Sequence, residues 1–347
     1  MDFKPDATQA EITRLAATVL RRDLERPWQA LAESGLLALA LPAELDGDGL
    51  GLAEVALVLT EVGRAAAQVP ALAALALGVL PIDKLGSPRQ RADLLPALAS
   101  GAAVATAALH EPSAPMTTHP STTAVPSDGA WSISGTKTAV PYAETATAML
   151  IPVTMAGGTA VFVVHPRASG VTLVPTRNAS ESPECTVVLT DVHVTEADLL
   201  ADGALAAVHR FALAGAVALG DGLLAGALEL TTAHVGTREQ FGKPLARFQA
   251  VAQQIADVYI ASRTVHLAAL SAIWRLSEGL DADADLEVAA YWLAEEAPKA
   301  LAACQHLHGG LGVDVTYPLH RYYSGIKDLS RFVGGASHRL DRIGELV

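Results

Sequence analysis

The stretch Arg238-Glu239-Gln240-Phe241-Gly242-Lys243-Pro244-Leu245-Ala246-Arg247-Phe248-Gln249 brings a guanidinium, an amide and an aromatic ring together. A guanidinium is a planar fork of donors that matches a phosphate, so this segment can hold a phosphate-bearing group. Taken alone, Arg238 reads first as an arginine capping a helix in a solvated loop. A second segment is His306-Leu307-His308-Gly309-Gly310-Leu311-Gly312. It lacks the G-x-G-x-x-G order and no strand precedes it, so a Rossmann-type nucleotide site is not indicated. His306 and His308 are two apart at a predicted helix end and point to different sides, so no metal site is expected. The consecutive glycines let the backbone come close to another backbone or to a cofactor.

The elements that must position these segments follow from periodicity. Residues 1–103 read as helical. Asp6-Ala7-Thr8-Gln9 opens a run with Ile12, Leu15, Ala16 and Val19 at helical spacing. Glu54 to Arg64 is a second amphipathic run, expected to stop near Gly63, and Ala67–Leu80 and Ser87–Leu98 predict two more helices. Between the first two lies the Gly/Asp loop from Leu41-Pro42 to Gly49-Leu50-Gly51. Residues 104–199 change character. Thr123–Val125, Trp131–Gly135, Met149–Val153, Ala160–Val164, Val171–Val174 and Thr186–Leu189 are short β-rich runs separated by turns, the pattern of a small antiparallel sheet or barrel. Residues 200–347 return to helix, with Phe248, Val251, Ile255 and Val258 on one apolar face. A helix ends near Arg238, Gly242 and Pro244 enforce a turn, and a new helix starts about Ala246. The fold class is mainly α with an inserted β domain.

Composition excludes several functions. With 347 residues and 51% hydrophobic content the chain can bury a large core. Lys plus Arg is 24 against 37 Asp plus Glu, and no basic block occurs, so a nucleic-acid partner is not expected. Cys185 and Cys304 are far apart, which argues against a disulfide framework and for a reducing cytoplasm. The start, Met1-Asp2-Phe3-Lys4-Pro5, has no basic region followed by an apolar run, so no signal peptide is expected. Phe211–Leu230 is long and apolar, but Asp221 and Glu229 interrupt it, so a buried helix is expected rather than a membrane span.

Over nearly its whole length the chain resembles the acyl-CoA dehydrogenase family. Leu41-Pro42 through Gly51 is similar to the family's N-terminal glycine loop, and Glu61-Val62-Gly63-Arg64 to the helix after it. His110-Glu111-Pro112 resembles the Thr-Glu-Pro-Gly flavin loop, and Ile133-Ser134-Gly135-Thr136-Lys137 the Leu-Asn-Gly-x-Lys strand. Arg238 to Gln249 matches the Arg-x-x-Phe-Gly…Gln signature. The resemblance implies N-terminal helices, a central β domain and a C-terminal four-helix bundle. It also implies FAD and α,β-dehydrogenation of an acyl-CoA, in which a glutamate takes the α proton and the flavin the β hydride.

The chain departs from that pattern on one side of the site. Phe332-Val333-Gly334-Gly335 occupies the family's Tyr-Glu-Gly-Thr segment, so Val333 replaces the catalytic base. Some members carry the base on the helix before the arginine motif, but Arg210–Leu213 offers no carboxylate, and His209 is the one adjacent proton acceptor. The flavin loop Thr-Glu-Pro-Gly-Ala-Gly-Ser reads His110-Glu111-Pro112-Ser113-Ala114-Pro115-Met116, and the Trp-Ile-Thr that packs on the isoalloxazine reads Ala139-Val140-Pro141. No catalytic residue is therefore assigned. In the family, the ADP part of FAD is bound by a neighbouring subunit's arginine and Gly-Gly motifs. Arg238, Gln240, Phe241 and Gln249 match the first; Gly309 and Gly310 match the second, with His306 at the glutamine position and Gln305 just before it.

One half of a shared site is thus retained and the other lost. The segment His308–Ser324, with Tyr259–Thr264 and Ile273–Leu276, resembles the small, glutamate-lacking subunits of actinobacterial heterotetrameric acyl-CoA dehydrogenases that act on cholesterol side-chain CoA thioesters. That resemblance implies an α2β2 assembly with a glutamate-bearing paralogue, one FAD per heterodimer and a steroid acyl-CoA substrate. It also implies an electron-transferring flavoprotein as acceptor. Two other readings stand beside it: a self-sufficient homo-oligomeric dehydrogenase with an atypical base, His209, and a structural paralogue without flavin.

Overall fold

The computed structural model describes residues 3–23 and 25–346; Met1 and Asp2 of the sequence start lie outside them. The chain divides into two compact units: residues up to Arg22 with Ala56–Gln68 and everything from Ala216 onward, and residues 23–55 with Val69–Gly215. The fold is that expected, mainly helical with an inserted curled sheet.

Helix α1 (Ala7–Arg22) starts where the Gln9 amide donates to Asp6 Oδ1 at 2.8 Å. It is followed by α2 (Pro27–Glu33) and α3 (Leu52–Arg64). Helix α3 runs through Gly63 rather than stopping there. The reason is tertiary: a Cβ at Gly63 would lie 2.1 Å from the Leu219 carbonyl oxygen, so the glycine buys close helix approach, not termination. A wide π-type turn, Leu72–Val79, leads into α4 (Leu80–Leu85). Pro81 lacks the N–H that an α-helix would bond to Leu77, which favours the wider turn just before it. Helix α5 (Pro88–Ala99) opens with a Ser87/Gln90 capping box.

Seven strands form the sheet: β1 (Ala105–Ala107), β2 (Thr123–Ser127), β3 (Ala130–Pro141), β4 (Ala148–Met155), β5 (Gly158–Val164), β6 (Val171–Pro175) and β7 (Glu184–Val194). Their order is β1-β4-β2-β3-β7-β6, with β5 on β4. All six expected β runs are strands; β1 is additional. The sheet is not wholly antiparallel as expected, because β1 and β2 both pair with β4 in parallel. Ile133, Val140, Met149, Ile151, Phe162, Val187 and Val192 build its core.

The remaining helices are α6 (Ala204–Thr237), α7 (Gln249–Ser277), α8 (Asp283–His308), α9 (Leu319–Phe332) and α10 (Gly335–Leu346). Helix α6 is long and apolar enough to cross a membrane, but 78% of its most apolar window is buried within the protein. Its charge at Asp221 is buried beside His266 Nδ1 at 2.9 Å. A buried Arg339–Glu287 pair at 2.8 Å links α10 to α8. Cys185 and Cys304 are buried free thiols.

Candidate functional site

The arginine motif forms a small hairpin between α6 and α7. Strand β8 (Glu239–Gln240) pairs with β9 (Lys243–Pro244), and the Leu245 amide donates to the Arg238 carbonyl at 2.8 Å. The connecting residues are Phe241 and Gly242, with φ of 54° and 77°, as a two-residue hairpin of the I′ type requires. A phenylalanine in that region carries a cost of about 1–2 kcal/mol. Packing within this chain does little to offset it, because Phe241 is 92% exposed. Arg238, Gln240 and Gln249, which opens α7, are exposed too. Behind them Lys243 Nζ stands 4.4 Å from the centre of the Phe248 ring.

The glycine motif ends α8. Gly309 has φ 59° and ψ −135°, a conformation open essentially to glycine alone. A Cβ at Gly309 or Gly310 would meet nothing within 4 Å, so both backbones face open space. The paired histidines do face opposite sides: His306 is exposed and His308 buried. Gln305 is turned inward, its Nε2 donating to the Gly312 carbonyl at 3.4 Å, which leaves His306 as the outward polar group of the pair.

These two motifs, far apart in sequence, are brought together. His234, one turn before Arg238, stacks on His308, which immediately precedes Gly309; the ring centres are 4.3 Å apart and the planes 18° from parallel. His308 Nδ1 lies 2.8 Å from the Cys304 carbonyl and Nε2 lies 3.2 Å from the Tyr317 hydroxyl. Burial lowers the pKa of both histidines, and for His234 the neighbouring His308 and Arg238 add to it. Neutral His308 then donates from Nδ1 and accepts from Tyr317 at Nε2. His234 and Tyr317 are absent from the sequence-level candidates, since nothing local marks either as a partner of a glycine turn.

The flavin-side segments have a different character. The Glu111 and Ala114 amides donate to each other's carbonyls at 3.1 and 3.0 Å, and the Met116 amide donates to His110 Nδ1 at 3.1 Å. Pro115 has no N–H. Ser113, where the family motif has glycine, still takes φ 59°. The loop thus keeps a glycine-like backbone while most of its amides turn to internal partners. Glu111 is equally internal: its Oε1 accepts from Lys137 Nζ at 2.7 Å and from Thr122, and its Oε2 from Ser121. Burial pushes the Glu111 carboxyl up, but the hydrogen bonds from Lys137, Ser121 and Thr122 bring it down to about 2. Ala139 has φ 52°, and Val140 is buried beside a register shift between β3 and β7.

The segment Phe332-Val333-Gly334-Gly335 offers no carboxylate. Val333 is fully buried, its amide donating to the Leu329 carbonyl at 2.9 Å as α9 ends. His209 is a buried residue of α6, 9% exposed.

A cation, amides, a projecting aromatic ring and two open glycine backbones fit the anionic and planar parts of a dinucleotide. In the loop around Ser113 the Glu111, Ala114 and Met116 amides are bonded internally. Residues 5–102 match the acyl-CoA dehydrogenase N-terminal domain and residues 203–345 the acyl-CoA dehydrogenase C-terminal domain. The chain is 50% identical to acyl-CoA dehydrogenase FadE28 of Mycobacterium tuberculosis, over 99% of this chain and 98% of that protein. It superposes with TM-score 0.92 and 34% identity on a chain of the Tcur3481-Tcur3483 steroid ACAD G363A variant, covering 98% of this chain and 97% of that one. The ChsE4-ChsE5 complex from Mycobacterium tuberculosis gives TM-score 0.92 at 29% identity, covering 99% and 98%.

Proposed function

The chain belongs to the acyl-CoA dehydrogenase family, whose cofactor is FAD, and from that membership we propose that it is the non-catalytic subunit of a heteromeric steroid acyl-CoA dehydrogenase. One observation carries the reading. The residues matching the ADP grip are exposed and open, while the loop matching the flavin grip uses its amides on itself and valine stands where the base belongs.

In this reading Arg238, Gln240, Phe241, Gln249, His306, Gly309 and Gly310 receive the ADP part of an FAD. A paralogous subunit with an intact glutamate holds its flavin and performs the α,β-dehydrogenation. FAD supplies the hydride-accepting chemistry when bound; this chain's part is to hold the diphosphate and adenosine. The names of two structural relatives support the pairing, one a complex of two differently named chains, the other a steroid ACAD with two chain names. The substrate class proposed is a steroid side-chain acyl-CoA from cholesterol breakdown, with an α2β2 assembly, an electron-transferring flavoprotein as acceptor and a cytoplasmic setting.

Co-expression tests the reading. Purified alone, the chain is expected colourless. Purified with a glutamate-bearing paralogue, it should yield a complex with one FAD per pair of chains and dehydrogenase activity. A chain that purifies alone with stoichiometric FAD and turns over, or a flavin-free complex, would overturn it.

Arg238→Ala in that complex should remove a charge-assisted contact worth about 1.5–3 kcal/mol. FAD dissociation constants measured by fluorescence should rise by about one to two decades.

A further inference from the structure

We propose that His308 and Tyr317, with His234 stacked against the imidazole, are positioning residues that hold the Gly309–Gly310 turn in register with the Arg238 hairpin. This rests on the assignment of those two motifs to the FAD diphosphate and adenosine, and goes beyond it by naming what sets their spacing.

The geometry singles out this cluster. The Arg238 amide donates to the His234 carbonyl at 2.8 Å, so the ring and the arginine belong to one turn of α6. His308 is the last residue of α8, and the turn that follows begins at the left-handed Gly309. From there to Pro318 the chain is held mainly by short-range bonds: Asp314 to Leu311, Tyr317 to Asp314, and Thr316 to the Asp314 carboxylate. Leu311, Val313 and Val315 are exposed in it. Besides the buried Gly312 with its 3.4 Å contact to Gln305 and the Gly309 amide that donates to the His306 carbonyl, the His308–Tyr317 bond ties the far end of this loop back to α8. The His234–His308 stack in turn ties α8 to the last turn of α6, which Arg238 directly follows.

A dinucleotide that spans both motifs reads their separation directly. An error of about 1 Å between two contact points is enough to lose one of them. The hydroxyl of Tyr317 is therefore expected to matter more to FAD than to the fold: the residue is half-buried in the turn before α9, outside the helices.

The test measures FAD affinity in the FAD-loaded assembly as purified, together with the melting temperature of the same assembly stripped of FAD. Tyr317→Phe and His308→Phe should each raise the FAD dissociation constant about 3- to 10-fold, the range of one neutral hydrogen bond. The double variant should be no worse than the weaker single, since both remove the same bond. Tyr317→Phe should leave the flavin-free melting temperature unchanged. Should His308→Phe fail to fold, Tyr317→Phe alone decides. Unchanged FAD affinity in Tyr317→Phe, while Arg238→Ala weakens it, overturns the positioning role and leaves the ADP assignment standing. Loss of flavin-free stability in step with FAD affinity overturns it as well. Unchanged affinity in Arg238→Ala removes the underlying assignment itself.

Discussion

Lys137→Met is expected to lower the melting temperature of the protein by about 4 °C at neutral pH, equivalent to roughly 3 kcal/mol. Lys137 is completely buried and its ammonium bonds Glu111 at 2.7 Å, with both side chains almost wholly removed from solvent. Breaking such a pair from one side leaves the other charge in a low-dielectric site, which is why the loss exceeds that of a surface pair. Ser121 and Thr122 still donate to Glu111, so the carboxylate is not abandoned outright. The double variant Glu111→Gln/Lys137→Met should recover part of the loss, because two neutral groups need no compensation.

The same pair sets an acid limit. Glu111 titrates near 2 in the fold, below the ordinary carboxylate range. A depressed carboxylate contributes stability that is complete above its unfolded pKa and is lost as pH falls through the folded one. That window runs from about 4.5 to about 2. In Lys137→Met the carboxylate is no longer held down so far, and protonation relieves it earlier. Melts of both proteins at pH 7 and pH 3 should show the gap between them narrowing with acid. A gap that stays constant would mean that the two charges are not coupled.

How far the sequence was legible depended on whether a feature is local. The six β runs are visible because each is short, rich in β-branched, aromatic or aliphatic residues, and set off by turns. Strand β1 escaped because Ala-Thr-Ala has no such signature, and its parallel pairing with β4 depends on residues more than a hairpin away. Among the site residues, Arg238, Phe241 and the glycine pair are conspicuous by type. The clip that joins them is not, because His234, His308 and Tyr317 acquire meaning only once three segments meet. In the sequence Glu111 and Lys137 belong to two separate motifs, the one resembling the flavin loop and the other the Leu-Asn-Gly-x-Lys strand. Their charges answer each other across two segments whose contact no spacing announces.

Gly63 marks the clearest misreading, and it leads to the second large effect. Gly222→Ala in α6 should destabilise the protein by about 3 kcal/mol or more, above the usual range for overpacking. A Cβ there would lie 1.9 Å from the Thr60 carbonyl oxygen and 2.8 Å from the Arg64 nitrogen. Both are backbone atoms, so no rotamer can relieve the collision and α3 itself must move away. Moving it also strains what the crossing holds. Thr60 Oγ1 donates to the Ala218 carbonyl at 3.2 Å, the Tyr322 hydroxyl donates to the Arg64 carbonyl at 2.9 Å, and Arg64 pairs with Glu61 and Glu229. The control lies on the same helix. A Cβ at Gly236 would meet nothing within 4 Å, so Gly236→Ala should stabilise by about 0.5–1 kcal/mol through helix propensity alone. Chemical denaturation of the two variants should therefore move in opposite directions. If both stabilise, the helices are not in backbone contact, and Gly63 and Gly222 serve some purpose other than close approach.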